Sequence, residues 1–306
     1  MIIGIDHGNK NIKVHSGKVF TSGLVSSSVP FSVNGNYIKY KDKFYALSEE
    51  RLPYMRDKTL TEDFFILTLF AIASELDNET YVPGMTVNID LGIGLPPGHF
   101  GKQYKSFENY FKHNEYIEFE YALKPFNIYI RSVSAYPQGY AAIMPVFSQI
   151  KEYSRCVIID IGGFSLDYLQ LTYGKPDMSV CDSLELGVIS MYNDIKSAVN
   201  SSEDLLISES DIDAVIKNKP SVLNERIKNL INSKASIFTN KIINSLRERG
   251  IDLKSTHAIF VGGGSVLLEK YILSSKMIVS PDVFKNICSN AAGYETLLRK
   301  QKSSGR

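Results

Sequence analysis

Two stretches of the chain carry residues whose order suits phosphate and metal chemistry. In residues 1–14 (MIIGIDHGNKNIKV) an apolar run ends at Asp6, and Gly8, Asn9, Lys10 and Asn11 follow before apolar alternation resumes around Lys13. A turn whose backbone N–H groups converge can cradle phosphate oxygens. Gly8 lets the backbone approach a ligand closely, Asn9 adds a side-chain donor, and Lys13 on the returning strand offers a point charge. Asp6 at the strand end suits a hydrated Mg²⁺, which keeps most of its waters and takes few protein ligands. Taken alone, this stretch reads equally well as an ordinary hairpin with solvated polar residues.

Residues 156–171 (CVIIDIGGFSLDYLQL) repeat the pattern, with Asp160 ahead of Gly162, Gly163 and Phe164, and Asp167 on the returning strand. The paired glycines permit a tight phosphate loop, and Asp160 would face the same metal through water. Asp167 reads equally as a carboxylate holding two strands and as a group of the site itself. A third element is Gly262, Gly263 and Gly264, set between an apolar run and a helical pattern. Glycines at a helix N-terminus admit anions or polar ribose atoms close to its N–H donors. Neither GxGxxG nor GxxxxGK[ST] spacing occurs there, which excludes a Walker-type loop.

These residues need elements to hold them. Period-2 alternation on both sides of a glycine turn is a hairpin signature. Asp6 and Asp160 are 154 positions apart in a 306-residue chain, so each half opens with the same strand–turn–strand unit. Residues 86–97 read as a strand ending in a Gly/Pro loop, 119–133 as two extended runs broken at Pro125, and 258–272 as strand, turn and helix. Residues 223–246 have mostly helical apolar spacing with Gly250 as the stop. Ser208 with Asp211 makes a capping-box start for a shorter helix.

Composition sets the class. Hydrophobic residues make up 44%, charged residues 22%, and the net charge is +1. Direct nucleic-acid binding built on bulk charge is not expected without a basic excess. Cys156, Cys181 and Cys288 show no metal spacing, and Cys156 reads as a buried free thiol. A reducing cytoplasm follows. Residues 1–8 have no signal-peptide pattern. The apolar helix at 64–76 is shorter than the roughly 20 residues that span a bilayer, so no membrane contact is expected. His7 reads as a loop hydrogen-bonder, the other histidines lack metal spacing, and the polar tail 299–306 reads as a frayed end.

The order of these motifs resembles the actin-like ATPase superfamily, and within it the bacterial plasmid-segregation ParM-like family. The first loop is similar to that family's at Asp6, Gly8, Asn11 and Lys13, and residues 160–171 resemble its second loop. Gly94, Leu95 and Pro96 resemble its Gly-Leu-Pro strand end, and Asn290, Ala291 and Gly293 its closing helix. Residues 131–147 resemble its connecting segment, where Pro137–Gln138 would open a helix. There the resemblance gives Gln138 the role of orienting the attacking water. The best-known plasmid member has Glu at that place, whereas eukaryotic actin has Gln. Residues 34–80 and 195–250 match by position only. Glu185 and Gly187 would approach the ribose.

The resemblance implies an α/β, actin-like fold: two related RNase H-like lobes with a nucleotide cleft between them. Lobe I would be 1–150 (core 1–30 and 131–150, insertion 31–130), and lobe II 151–306 (core 151–195 and 252–306, insertion 196–251). It further implies hydrolysis of ATP, with GTP as the alternative nucleotide, aided by Mg²⁺ at Asp6 and Asp160. Catalysis would rest on Gln138, Asp160 and Asp6. The partners implied are further copies of the chain in a filament and a DNA-bound adaptor. A small-molecule kinase of the same superfamily and a non-hydrolysing scaffold are the competing readings.

Overall fold

The computed structural model describes residues 1–32, 36–76 and 81–304. The strands are β1 (Ile2–His7), β2 (Asn11–Val14), β3 (Val19–Thr21), β4 (Leu24–Ser27), β5 (Tyr37–Tyr40), β6 (Lys43–Leu47), β7 (Thr86–Leu95), β8 (Ile117–Tyr121), β9 (Lys124–Pro137), β10 (Cys156–Ile161), β11 (Leu166–Thr172), β12 (Lys175–Leu184), β13 (His257–Val261) and β14 (Pro281–Val283). The helices are α1 (Asp63–Leu76), α2 (Pro97–Phe111), α3 (Phe147–Ile150), α4 (Val188–Glu203), α5 (Glu209–Ile216), α6 (Glu225–Glu248), α7 (Gly263–Ser274) and α8 (Ser289–Ser304).

The chain forms two compact units, Met1–Pro145 with Cys288–Arg306, and Val146–Ile287. This division differs from the one expected. Cys288–Arg306, assigned from sequence to the second lobe, belongs to the first unit, because α8 packs on β1. A Cβ on Gly4 would sit 2.0 Å from the Ala291 carbonyl oxygen, so only glycine allows that approach.

The first unit holds a nine-stranded sheet in the order β3-β2-β1-β7-β9-β8-β5-β6-β4, and the second a five-stranded sheet in the order β12-β11-β10-β13-β14. Five strands of each follow one plan. β3, β2 and β1 are antiparallel neighbours and β7 and β9 extend β1 in parallel; β12, β11 and β10 do the same with β13 and β14. Parallel strands covered on both faces read as continuous apolar runs, and β10 (CVIIDI) and β13 (HAIFV) are buried along their whole length. Each unit has its own apolar core.

The buried helix at 64–76 forms as expected. So do the capping box of α5 and the long α6, with Gly250 just beyond it at φ 81°. Other expectations fail. Pro137 opens no helix; it is the last residue of β9, paired with Leu95. The break in 119–133 is at Ala122 and Leu123, whose φ of 49° and 64° make the turn, while Pro125 lies inside β9. The Gly/Pro end of β7 is no loop, since α2 starts at Pro97 with Pro96 as its N-cap. The tail is helical through Ser304, and residues 305–306 lie outside the described residues, as do 33–35 and 77–80 within the first insertion.

Candidate functional site

In the first unit, β1 brings Asp6 opposite Lys13 of β2. The Lys13 Nζ lies 3.0 Å from Asp6 Oδ2, and Gln138 Nε2 donates to Asp6 Oδ1 at 3.0 Å. Asp6 is only 2% exposed. Burying a carboxylate is costly unless charged and polar groups pair with it. Gln138 sits directly after β9 and is itself buried; its backbone N–H donates to the Leu95 carbonyl at 2.8 Å.

The turn between these strands is braced from outside. A Cβ on Gly8 would lie 2.6 Å from the Asn11 carbonyl oxygen, so the turn is tight at that point. Ser22 Oγ donates to the Gly8 carbonyl at 2.5 Å, and the Ser22 N–H donates to the Lys10 carbonyl at 3.0 Å. Lys58 Nζ donates to the His7 carbonyl. Asn9, Lys10 and Asn11 remain partly exposed.

His7 is not a loop residue. It ends β1 as a fully buried side chain, stacked on Phe111 at 4.7 Å, with Phe64 and Phe107 edge-on to it. Its Nε2 is 2.8 Å from Thr68 Oγ1, whose own hydrogen goes to the Phe64 carbonyl. Nε2 is therefore the donor, and the ring is neutral. Burial, aided by Lys58 and opposed by Asp6, lowers its pKa to about 3, too low for an effective base at neutral pH.

In the second unit, Asp160 pairs with Asp167 across the hairpin in the register that Asp6 shares with Lys13. The turn closes through Gly162 N–H to the Ser165 carbonyl at 2.9 Å, and Ser165 Oγ donates to Asp167 Oδ2 at 2.9 Å. Asp167 thus holds the turn. The carbonyls of Gly162, Gly163 and Phe164 accept from Val188, Ile189 and Gly187 at the start of α4, at 3.1, 2.8 and 2.9 Å. Because peptide units are planar and trans, the N–H groups of Gly163, Phe164 and Ser165 point away from α4.

The other two groups read from sequence take different places. Gly187 is the N-cap of α4, and a Cβ there would lie 2.4 Å from the Gly163 carbonyl oxygen. Glu185 lies exposed in the bend before it. In the glycine triplet, Gly262 has φ +89° and a Cβ there would meet Asp160 Oδ1 at 2.2 Å, while one on Gly264 would meet Ile161 Cγ2 at 2.5 Å. These two glycines serve contact with the end of β10. Gly263 is exposed, with nothing within 4 Å of an added Cβ.

The residues fit a hydrated Mg²⁺ better than a directly ligated metal. Among the described residues no group of three or more His, Cys, Asp or Glu could hold an ion, yet each unit has a buried aspartate one residue before the end of a core strand, beside a glycine turn. Hydrated Mg²⁺ needs no more than one or two carboxylates.

Residues 4–140 match the family model described as "Actin like proteins N terminal domain", and residues 158–273 match "Archaeal actin homologue MreB-like, C-terminal". The chain belongs to the actin-like proteins. No curated protein matches it. Among solved structures, this actin-like chain resembles Ta0583, an archaeal actin homologue in complex with ADP, with 18% identity over 98% of this chain and 99% of the other and a TM-score of 0.75. It resembles a non-polymerisable quadruple mutant of pCBH ParM at 20% identity, 98% and 99% coverage and a TM-score of 0.74. It also resembles Alp12 in its filament structure at 15% identity, 98% coverage of both chains and a TM-score of 0.67. No described helix is long and apolar enough to cross a membrane.

Sequence reasoning missed Ser22 and Lys58, which brace the first turn from β3–β4 and from the segment before α1. Nothing local marks them. Asn290 was noted within a motif, but not for its bond to Gly139, whose N–H reaches Asn290 Oδ1 at 2.8 Å.

Proposed function

We propose that this actin-like protein binds a nucleoside triphosphate with Mg²⁺ through its two aspartate-led turns together, hydrolyses it, and assembles into nucleotide-dependent filaments in the cytoplasm. The observation that carries this reading is the repeated hairpin: in both units a buried aspartate is the last residue but one of the strand, and a glycine follows two residues later. Backbone N–H groups of Gly8, Asn9 and Lys10, and of Gly163 and Phe164, supply the phosphate cradle. Lys13, paired with Asp6, adds positive charge for the phosphates. Gly263 is the member of the triplet that meets the nucleoside, with Glu185 and Gly187 toward the ribose.

Gln138 has the chemistry to orient an attacking water, since its amide both donates and accepts. It cannot take a proton at neutral pH, which is tolerable because phosphoryl transfer depends mainly on positioning and charge stabilisation. Bound Mg²⁺ would neutralise charge on the phosphate oxygens, held through water by Asp6 and Asp160. Plasmid DNA segregation or positioning, through a DNA-bound adaptor, is the role that the ParM-like kinship supports.

Pelleting and electron microscopy with ATP, with GTP and without nucleotide, alongside phosphate release, test the proposal. Filaments and phosphate release are expected with ATP and Mg²⁺. Asp160→Ala is expected to abolish turnover. A wild-type chain that stays monomeric at high concentration under every nucleotide would overturn the filament reading, and wild-type hydrolysis in Asp160→Ala the catalytic one.

A further inference from the structure

The backbone on either side of Gln138 is fixed from two directions. Its own N–H is bound to Leu95 of β7, and the Tyr140 N–H turns back onto the Gln138 carbonyl at 2.8 Å. Between them Gly139 has φ 74°, a left-handed conformation. Gly139 lies beyond the end of β9, so its N–H belongs to no strand pairing, in a buried position where it must still be satisfied. The acceptor is Asn290 Oδ1, in the first turn of α8 and itself 3% exposed.

The helix carrying Asn290 has little freedom to shift. A Cβ on Gly293 would lie 2.0 Å from the Ala141 carbonyl oxygen, and the approach of Ala291 to Gly4 fixes α8 against β1. Near its other end, Lys302 Nζ lies 2.6 Å from Asp90, which also pairs with Arg131. One helix therefore touches both β1, which carries Asp6, and the turn that carries Gln138.

We infer that Asn290 is a positioning residue for hydrolysis: by holding the left-handed Gly139 it sets where the Gln138 amide stands relative to Asp6. The inference rests on the proposed role of Gln138 in orienting water. It assigns the end of the chain, more than 150 positions away, a part in the chemical step but none in holding the nucleotide.

The test compares Asn290→Leu, Gln138→Ala and the double variant for ATP affinity and for single-turnover hydrolysis. Asn290→Leu should bind ATP within about twofold of the wild type and hydrolyse it about tenfold to a hundredfold more slowly, the scale expected for a displaced reacting group. The double variant should be no slower than Gln138→Ala, because the two act as one unit. Asn290→Asp keeps the acceptor and should recover most of the rate. If Asn290→Leu does not fold, Asn290→Ser carries the same comparison, and the Gly139 amide of the wild type should be strongly protected from hydrogen exchange. Wild-type hydrolysis in a folded Asn290→Leu, losses that multiply in the double variant, equal losses of affinity and rate, or a fast-exchanging Gly139 amide would each overturn the inference. A wild type that does not hydrolyse ATP, or a Gln138→Ala as fast as the wild type, would instead sink the proposed function.

Discussion

Asp6 and His7 are neighbours at the end of β1 with opposite requirements. Asp6 is met by the Lys13 ammonium and the Gln138 amide; His7 stays neutral because it faces Phe64, Phe107 and Phe111. The unfolded chain returns His7 to its ordinary pKa of 6.5, against about 3 when folded. Between those values the unfolded state binds a proton that the folded state does not, so stability falls as the pH falls. At about pH 5 the loss from this one group is on the order of 2 kcal/mol. Chemical denaturation of the wild type and of His7→Gln across about pH 7 to 5 should show a shallower decline in the variant, and equal slopes would count against a neutral buried ring. Sequence reading placed His7 in a loop because the residues around it are polar. What buries it comes from α1 and α2, more than fifty positions away, and no local pattern reports that. Asp6, Lys13 and their register were legible, since a hairpin is local.

Elements impose their own limits, clearest where β13 turns into α7. The glycine triplet looks uniform in sequence, but its members meet different surroundings. Alanine at Gly262 or Gly264 drives a methyl into Asp160 or Ile161, and at Gly262 it also meets a φ of +89°. Each should destabilise the protein by about 1–3 kcal/mol. Gly263→Ala adds a methyl in open space at the start of the helix and should be neutral, or stabilising by less than about 1 kcal/mol. Thermal unfolding without nucleotide separates these cases, and a uniform response of all three would show that packing on β10 is not what the triplet serves. The strand–turn–helix was evident from periodicity, whereas the split of roles among three identical residues depends on β10, about a hundred positions earlier. Pro137 shows the converse. Pro is well placed at a helix start, yet the pairing of β9 with β7 carries the strand through to Pro137.

At the scale of the whole molecule, the internal repeat seen as two hairpins extends to five strands in each unit. The two aspartate hairpins were readable and the assembly of the outer strands of the first sheet was not: β8–β9 and β5–β6 are tight hairpins, but β5 joins β8 with Ile38 opposite Tyr121, and β4 joins β6 with Leu24 opposite Leu47, pairings between segments far apart in the chain. The return of α8 to the first unit was hidden for the same reason, since sequence order alone keeps 288–306 with its neighbours. The proposed function makes a demand on both units at once. A ligand that binds only the folded state stabilises it by an amount set by concentration over Kd, about 2.7 kcal/mol at a hundredfold excess. If one nucleotide is held by both turns, opening of either unit releases it, and both must gain that stability. Hydrogen exchange with and without ATP and Mg²⁺ should then show amides of β1 and β10 protected by similar amounts, and Asp160→Ala should remove the gain from both units although the substitution lies in one. Protection confined to β10 and its neighbours would mean that the second unit holds the nucleotide alone, and the first turn, with Asp6 and Gln138, would need another purpose.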